Sequence, residues 1–75
     1  MDEEALLQEL GRRMRTRRKE IGLSQEALAL RANVDRSYYG AVERGERNVT
    51  FTMLCRLCAA LECDLGVISE GLLSR

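Results

Sequence analysis

The stretch Ser24-Gln25-Glu26-Ala27-Leu28-Ala29-Leu30-Arg31-Ala32-Asn33-Val34-Asp35-Arg36-Ser37-Tyr38-Tyr39-Gly40-Ala41-Val42-Glu43-Arg44 decides the fold. Ser24 is a good N-cap, because its hydroxyl can accept from an amide the first helical turn leaves unpaired. The spacing turns Leu28, Ala29 and Ala32 inward. Asn33 tolerates the left-handed backbone of a tight helix stop. Val34 plugs the turn, and Asp35 is placed to cap a second short helix over Arg36 to Arg44. Tyr39 and Val42 point inward there, while Arg36, Ser37, Tyr38, Gly40 and Ala41 lie outward. Residues 24–44 thus read as two short helices joined by three turn residues.

Working outward, Leu7, Leu10, Met14 and Ile21 make one apolar stripe on a helix from about Glu3 to Glu20. Arg18 falls on or beside that stripe. Gly22 ends the helix, as glycine does just past a C-terminus. Beyond the central stretch, Thr50 caps a fourth helix, about Phe51 to Leu61. Phe51, Leu54, Leu57, Cys58 and Leu61 mark its expected buried face. Asp64 caps a short fifth helix with Leu65 and Ile68 inward. Leu72 and Leu73 follow as exposed leucines, which suggest a partner surface. The chain has no proline, and nothing between residues 4 and 70 reads as a linker. No stretch alternates strongly enough for a strand. The expectation is one all-α domain of five helices spanning residues 1–75.

The 75 residues leave room for one domain with a thin core, which dimerisation would thicken. No apolar run approaches the roughly 18 residues of a membrane span, and an acidic start, Met1 to Glu4, does not suit a secretory signal. No membrane partner and a cytoplasmic setting are therefore expected. The net charge is zero, yet the charges are unevenly placed. Residues 12–47 hold ten basic and five acidic side chains, and the flanks hold two and seven. A basic middle attracts phosphate. The run Arg12-Arg13-Arg15-Arg17 reads as a solvated face with long-range attraction rather than as direct contacts. Cys55, Cys58 and Cys63 fall one short of a structural zinc set, and no histidine completes it. They read as small apolar residues in a helix, so no metal or cofactor is expected. No glycine-rich phosphate loop or catalytic carboxylate pair stands out either, so the chain is not expected to be an enzyme.

The arrangement of residues 24–44 presents the third helix as a ridge. A helix about 10–12 Å across fits the major groove of B-DNA. Arg36 can pair with guanine through two parallel hydrogen bonds. Ser37 can donate or accept, and Tyr38 offers a ring to a thymine methyl or sugar and a hydroxyl to phosphate.

Arg17-Arg18-Lys19-Glu20-Ile21-Gly22-Leu23-Ser24-Gln25-Glu26-Ala27-Leu28-Ala29 resembles the opening of the Cro/phage-repressor (XRE) helix-turn-helix family. Val34 to Tyr39 and Val42-Glu43-Arg44-Gly45 resemble its turn and recognition helix. Thr50 to Leu61 and Cys63-Asp64-Leu65 resemble its later helices. Asp35 to Tyr38 together with Glu43 to Thr50 is most similar to the controller proteins of bacterial restriction-modification systems. The resemblance implies a five-helix, lambda-repressor-like domain of bacterial or phage origin, its helix-turn-helix at about 24–44. It implies a homodimer joined through residues 62–75, with Leu65, Ile68, Leu72 and Leu73 at the interface. The dimer would bind an inverted-repeat operator in double-stranded DNA and block or recruit RNA polymerase.

By the same resemblance, Arg36, Ser37 and Tyr38 would read bases. Gln25, Arg44, Arg47 and Asn48 would contact the DNA backbone, and Gln25 would also brace the third helix. Arg18 and Glu43 match an ion pair that joins the first and third helices. Gly40 costs that third helix about 0.5–1 kcal/mol against alanine. A protein-interaction module or antitoxin on the same fold is the alternative reading, since a fold does not by itself name a function.

Overall fold

A computed structural model describes residues 2–74. Five helices follow in order: α1 (Glu3–Glu20), α2 (Gln25–Ala32), α3 (Arg36–Glu43), α4 (Phe51–Ala60) and α5 (Leu65–Ser69). A 3₁₀ turn, Leu72–Ser74, comes last. The all-α expectation holds, with α3 and α4 each ending one residue earlier than the sequence suggested.

Four helix junctions share one backbone form. Gly22, Asn33, Gly45 and Glu62 take left-handed φ values of 75°, 58°, 76° and 56°. The following N–H, from Leu23, Val34, Glu46 or Cys63, donates back to the carbonyl of Arg18, Ala29, Ala41 or Cys58. This closes the orphaned carbonyls of the helix that ends and turns the chain into the next one. Glycine and asparagine at the first two stops were legible signals, whereas Glu62 gives none. Its strained backbone is held in place from outside, because Arg31 of α2 donates to its carboxylate at 2.6 Å and to the Ala60 carbonyl at 3.3 Å.

Ser24 and Thr50 cap α2 and α4 as expected, accepting from Ala27 N at 3.0 Å and Met53 N at 3.1 Å. Asp35 departs from expectation. It occupies the N-cap position, but its carboxylate makes no capping bond to the α3 backbone. It accepts the Ser37 hydroxyl at 2.7 Å instead.

The core joins Leu10 and Met14 of α1, Leu28, Ala29 and Ala32 of α2, and Tyr39 and Val42 of α3. Leu57, Cys58 and Ala60 of α4, Leu61 just after it, and Ile68 of α5 complete it. Phe51 does not join them and is 68% exposed. Side chains in a helix tilt toward its N-terminus. A residue at the first position of α4 therefore projects past the end of the helix, beyond the elements that bury Leu57 and Leu61. The burial of Cys58 pushes its thiol well above the ordinary value, which suits a packing residue.

The arginines of α1 also depart from a simple solvated face. Arg13 donates to the Ile68 carbonyl at 3.1 Å and to that of Glu70. Arg17 donates to the carbonyls of Leu61 at 3.0 Å and Glu62 at 2.8 Å. Both cover C-terminal carbonyls of α5 and α4, where a cation is favoured. Arg12 and Arg13 share the buried carboxylate of Glu9, whereas Arg15 stays exposed.

Candidate nucleic-acid interface

The site begins beneath the surface, where α1 and α3 meet. Gly11 faces the last turn of α3 so closely that a methyl group there would lie 2.6 Å from the Val42 carbonyl oxygen, with the Glu43 carbonyl nearer still. The crossing lets Arg18 reach Glu43 in a two-pronged ion pair of 2.7 and 3.1 Å. Both side chains are buried, at 9% and 2% exposure. A third donation, from Arg18 to the Leu23 carbonyl at 2.9 Å, ties in the α1–α2 turn. The expected pair of Arg18 and Glu43 is therefore formed.

Burial alone would push the Glu43 carboxyl up, but the hydrogen bonds from Arg18 and Gln25 and the Arg18 charge outweigh it and hold the group below its ordinary value. The buried phenol of Tyr39 lies against the same pair, and its hydroxyl has no hydrogen-bond partner among the described residues. Burial, and after it the neighbouring Glu43 carboxylate, pushes that phenol up.

This buried pair extends to the surface through Gln25, whose Nε2 donates to Glu43 Oε1 at 2.9 Å. One amide hydrogen is thereby committed and the amide plane is set, while the second hydrogen remains for another acceptor. Gln25 is the first residue of α2 and Glu43 the last of α3, so the bond locks the two helices in their relative pose.

The outer face of α3 carries the expected readers. Arg36 and Ser37 are exposed at its start, and Arg36 has no ion-pair or hydrogen-bond partner among the described residues. The Ser37 hydroxyl donates to Asp35, which leaves its lone pairs as acceptors. Tyr38 is half-buried, with the Arg47 guanidinium 5.0 Å from its ring centroid. That cation–π contact folds the loop after α3 back toward the start of α3. Arg44 is exposed and paired loosely with Glu46 at 3.1 Å, and Asn48 is exposed in the same loop. Gly40, expected outward, is buried beneath Gln25 and Arg44. Sequence reasoning did not anticipate the Gly11 approach or the Arg47–Tyr38 contact. A glycine inside a strongly helical stretch was a usable signal for the first; the second had none, since its partners lie nine positions apart across a loop.

The residues expected at a dimer interface lie elsewhere, on α5 and the turn after it. Ile68 is 4% exposed and belongs to the core of the single chain, because α5 is anchored by it against α1 and α4. Leu65 and Leu72 are half-buried against that core, and Leu73 is 78% exposed.

A short capped helix, a three-residue turn and a second helix presenting free polar side chains define a helix-turn-helix protein. The helix-turn-helix family profile matches residues 14–68. The control protein C.MunI of Mycoplasma sp is 40% identical over 57 residues, covering 75% of this chain and 77% of its own. The crystal structure of the restriction-modification controller protein C.AhdI from Aeromonas hydrophila superposes with a TM-score of 0.81 at 45% identity, covering 85% of this chain and 93% of that one. The controller protein C.Esp1396I, solved as a tetramer with its natural 35 base-pair operator, matches with a TM-score of 0.81 at 35% identity, covering 92% and 91%. The chain belongs to the helix-turn-helix family of transcription regulators, within its restriction-modification controller proteins.

Proposed function

We propose that this protein binds an inverted-repeat operator as a homodimer and so sets transcription of restriction-modification genes, by blocking or recruiting RNA polymerase. The observation that carries the reading is Arg36, exposed and unpartnered at the start of α3. A free guanidinium at that end of a ridge suits two parallel bonds to guanine. Ser37 and Tyr38 stand beside it as further base readers. Gln25, Arg44, Arg47 and Asn48 flank them as contacts to the DNA backbone, which hold the register. The operator complex of C.Esp1396I supports the same use of the fold.

Selection from random duplexes, sequenced at two salt concentrations, tests the reading. Enrichment of a two-fold symmetric site is expected, with affinity falling steeply as salt rises. Arg36→Ala should weaken binding to the selected site roughly ten- to a hundredfold and relax preference at one base pair of each half-site. No enrichment at either salt would return the chain to the protein-interaction reading.

The dimer surface we assign to the exposed end of α5 and the turn beyond it, where Val67 and Leu73 are 64% and 78% exposed. Leu65 and Leu72 form its floor, and Ile68 supports it from within. Two recognition helices would then stand about 34–36 Å apart, one turn of DNA. Leu73→Lys is expected to shift the protein from dimer to monomer in sedimentation velocity with its helical circular dichroism intact. A Leu73→Lys protein that still sediments as a dimer would place the interface elsewhere.

No helix among the described residues is long and apolar enough to cross a membrane.

A further inference from the structure

We infer that Asp35 sets base specificity through Ser37: it holds the Ser37 hydroxyl as an acceptor, so that Ser37 selects a base presenting an amino group in the major groove, cytosine or adenine. The inference rests on the DNA-binding reading above and deepens it.

Asp35 stands at the N-cap position of α3, yet its carboxylate makes no bond to the α3 backbone. The N-cap side chains of the other α-helices, Asp2, Ser24, Thr50 and Asp64, each accept from a backbone N–H. The Asp35 carboxylate takes the Ser37 hydroxyl hydrogen instead, at 2.7 Å. A hydroxyl has a single hydrogen and a carboxylate only accepts, so the direction of this bond is fixed. No cation pairs with Asp35 among the described residues, which leaves its charge beside the hydroxyl. Both side chains are exposed at the end of α3 that carries Arg36.

An unconstrained serine donates or accepts, and so reads either kind of base edge. With its hydrogen committed, Ser37 presents lone pairs alone. Guanine N7 and O6, adenine N7 and thymine O4 would meet it lone pair to lone pair, and the Asp35 charge adds to the repulsion. The amino groups at cytosine N4 and adenine N6 are attracted by both. Arg36 is the complement, since a guanidinium only donates and suits guanine. Neighbouring residues at the start of α3 thus read opposite kinds of edge. Asp35 is a positioning residue, acting on the base through Ser37.

The test uses the full chain and the operator recovered from random duplexes. Ser37→Ala marks the base pair that Ser37 reads, as the pair whose preference it relaxes. At that pair the amino group is deleted, with a pyrimidinone lacking N4 in place of cytosine or unsubstituted purine in place of adenine. The deletion should weaken native binding about five- to twentyfold, and should cost Asp35→Ala and Ser37→Ala less than about twofold. Comparing proteins on the same duplexes cancels what the analogue does to the DNA. Replacing N7 of that pair's purine by carbon removes an acceptor and should change native binding by less than about twofold. In selection, Asp35→Ala should admit other bases at that pair alone and keep the guanine read by Arg36. Its urea midpoint should move little, because no capping bond is lost. Asp35→Gly, a residue suited to an N-cap, repeats the measurement should alanine unfold the chain. A native protein that tolerates loss of the amino group but not loss of N7 overturns the inference, as does a Ser37→Ala protein that relaxes no pair. An Asp35→Ala protein with native preference overturns it too. So does a further change of preference when Asp35→Ala is added to Ser37→Ala, which would mean that Asp35 touches the base itself. Failure of the native chain to enrich any duplex removes the DNA reading and this inference together.

Discussion

Glu43→Ala should destabilise this domain by about 3–5 kcal/mol, the effect of stripping one partner from a buried ion pair. The magnitude follows from what remains. Arg18 would keep its charge at a site where its side chain is 9% exposed, with only the Leu23 carbonyl to receive it. Gln25 would lose its brace as well. A domain of this size has roughly 5–15 kcal/mol in total, so urea denaturation should show a large shift in midpoint. Glu43→Gln, which preserves shape and removes charge, should lose a large part of the same amount. Replacing both partners, Arg18→Met with Glu43→Leu, should be milder than Glu43→Ala, because no charge is stranded. A loss below about 1 kcal/mol in Glu43→Ala would mean that water reaches Arg18 and that the pair is of surface type.

The same pair sets a pH dependence. The Glu43 carboxyl is held below its ordinary 4.5 in the folded chain. As acid is added, the unfolded chain takes up that proton first. The contribution is thus complete above about pH 4.5 and drains as the pH falls through the lowered folded value. Glu43→Gln should flatten that part of the acid limb of a stability profile.

The second large effect is expected at Gly11, and its sign is opposite to what helix propensity predicts. An exposed mid-helix glycine changed to alanine would gain about 0.5–1 kcal/mol. Here the new methyl would meet the carbonyl oxygens of Val42 and Glu43, the former at 2.6 Å. Those atoms are backbone in the last turn of α3 and cannot swing aside. Gly45, two residues past Glu43, is also tight, since a methyl group there would lie 2.7 Å from the Gln8 Cα, and its φ is +76°. α1 would have to lift off α3, at a cost of about 1–3 kcal/mol or more. The displacement would also stretch the Arg18–Glu43 pair and with it the bond to Gln25. Gly11→Ala should therefore lower the urea midpoint and weaken operator binding together. An unchanged midpoint would mean the two helices can separate freely.

Local rules carried much of the result. Ser24, Asn33, Val34 and Thr50 specify where helices start and stop, because caps and left-handed stops depend on a few adjacent atoms. The apolar spacing of Leu10, Met14, Leu28, Tyr39, Val42, Leu57 and Leu61 specifies inward faces, because helical geometry repeats. Arg36, Ser37, Arg44, Arg47 and Asn48 were legible as exposed polar groups around one helix. Phe51 was misjudged, since its spacing fits a buried stripe but the first turn of α4 overhangs the core. Arg13 and Arg17 were read as solvated, and only the placement of α4 and α5 carbonyls beside them gives them partners.

By itself, then, the sequence determined the five helices, the helix-turn-helix and the polar face of α3, through interactions spanning a few residues. Tertiary structure alone decided which glycine is pressed against backbone and which lies beneath side chains. Gly11 and Gly40 look alike in the chain. One lies against the backbone of another helix, and the other lies under the side chain of Gln25, because the crossing of α1, α2 and α3 brings together residues 15 to 32 positions apart.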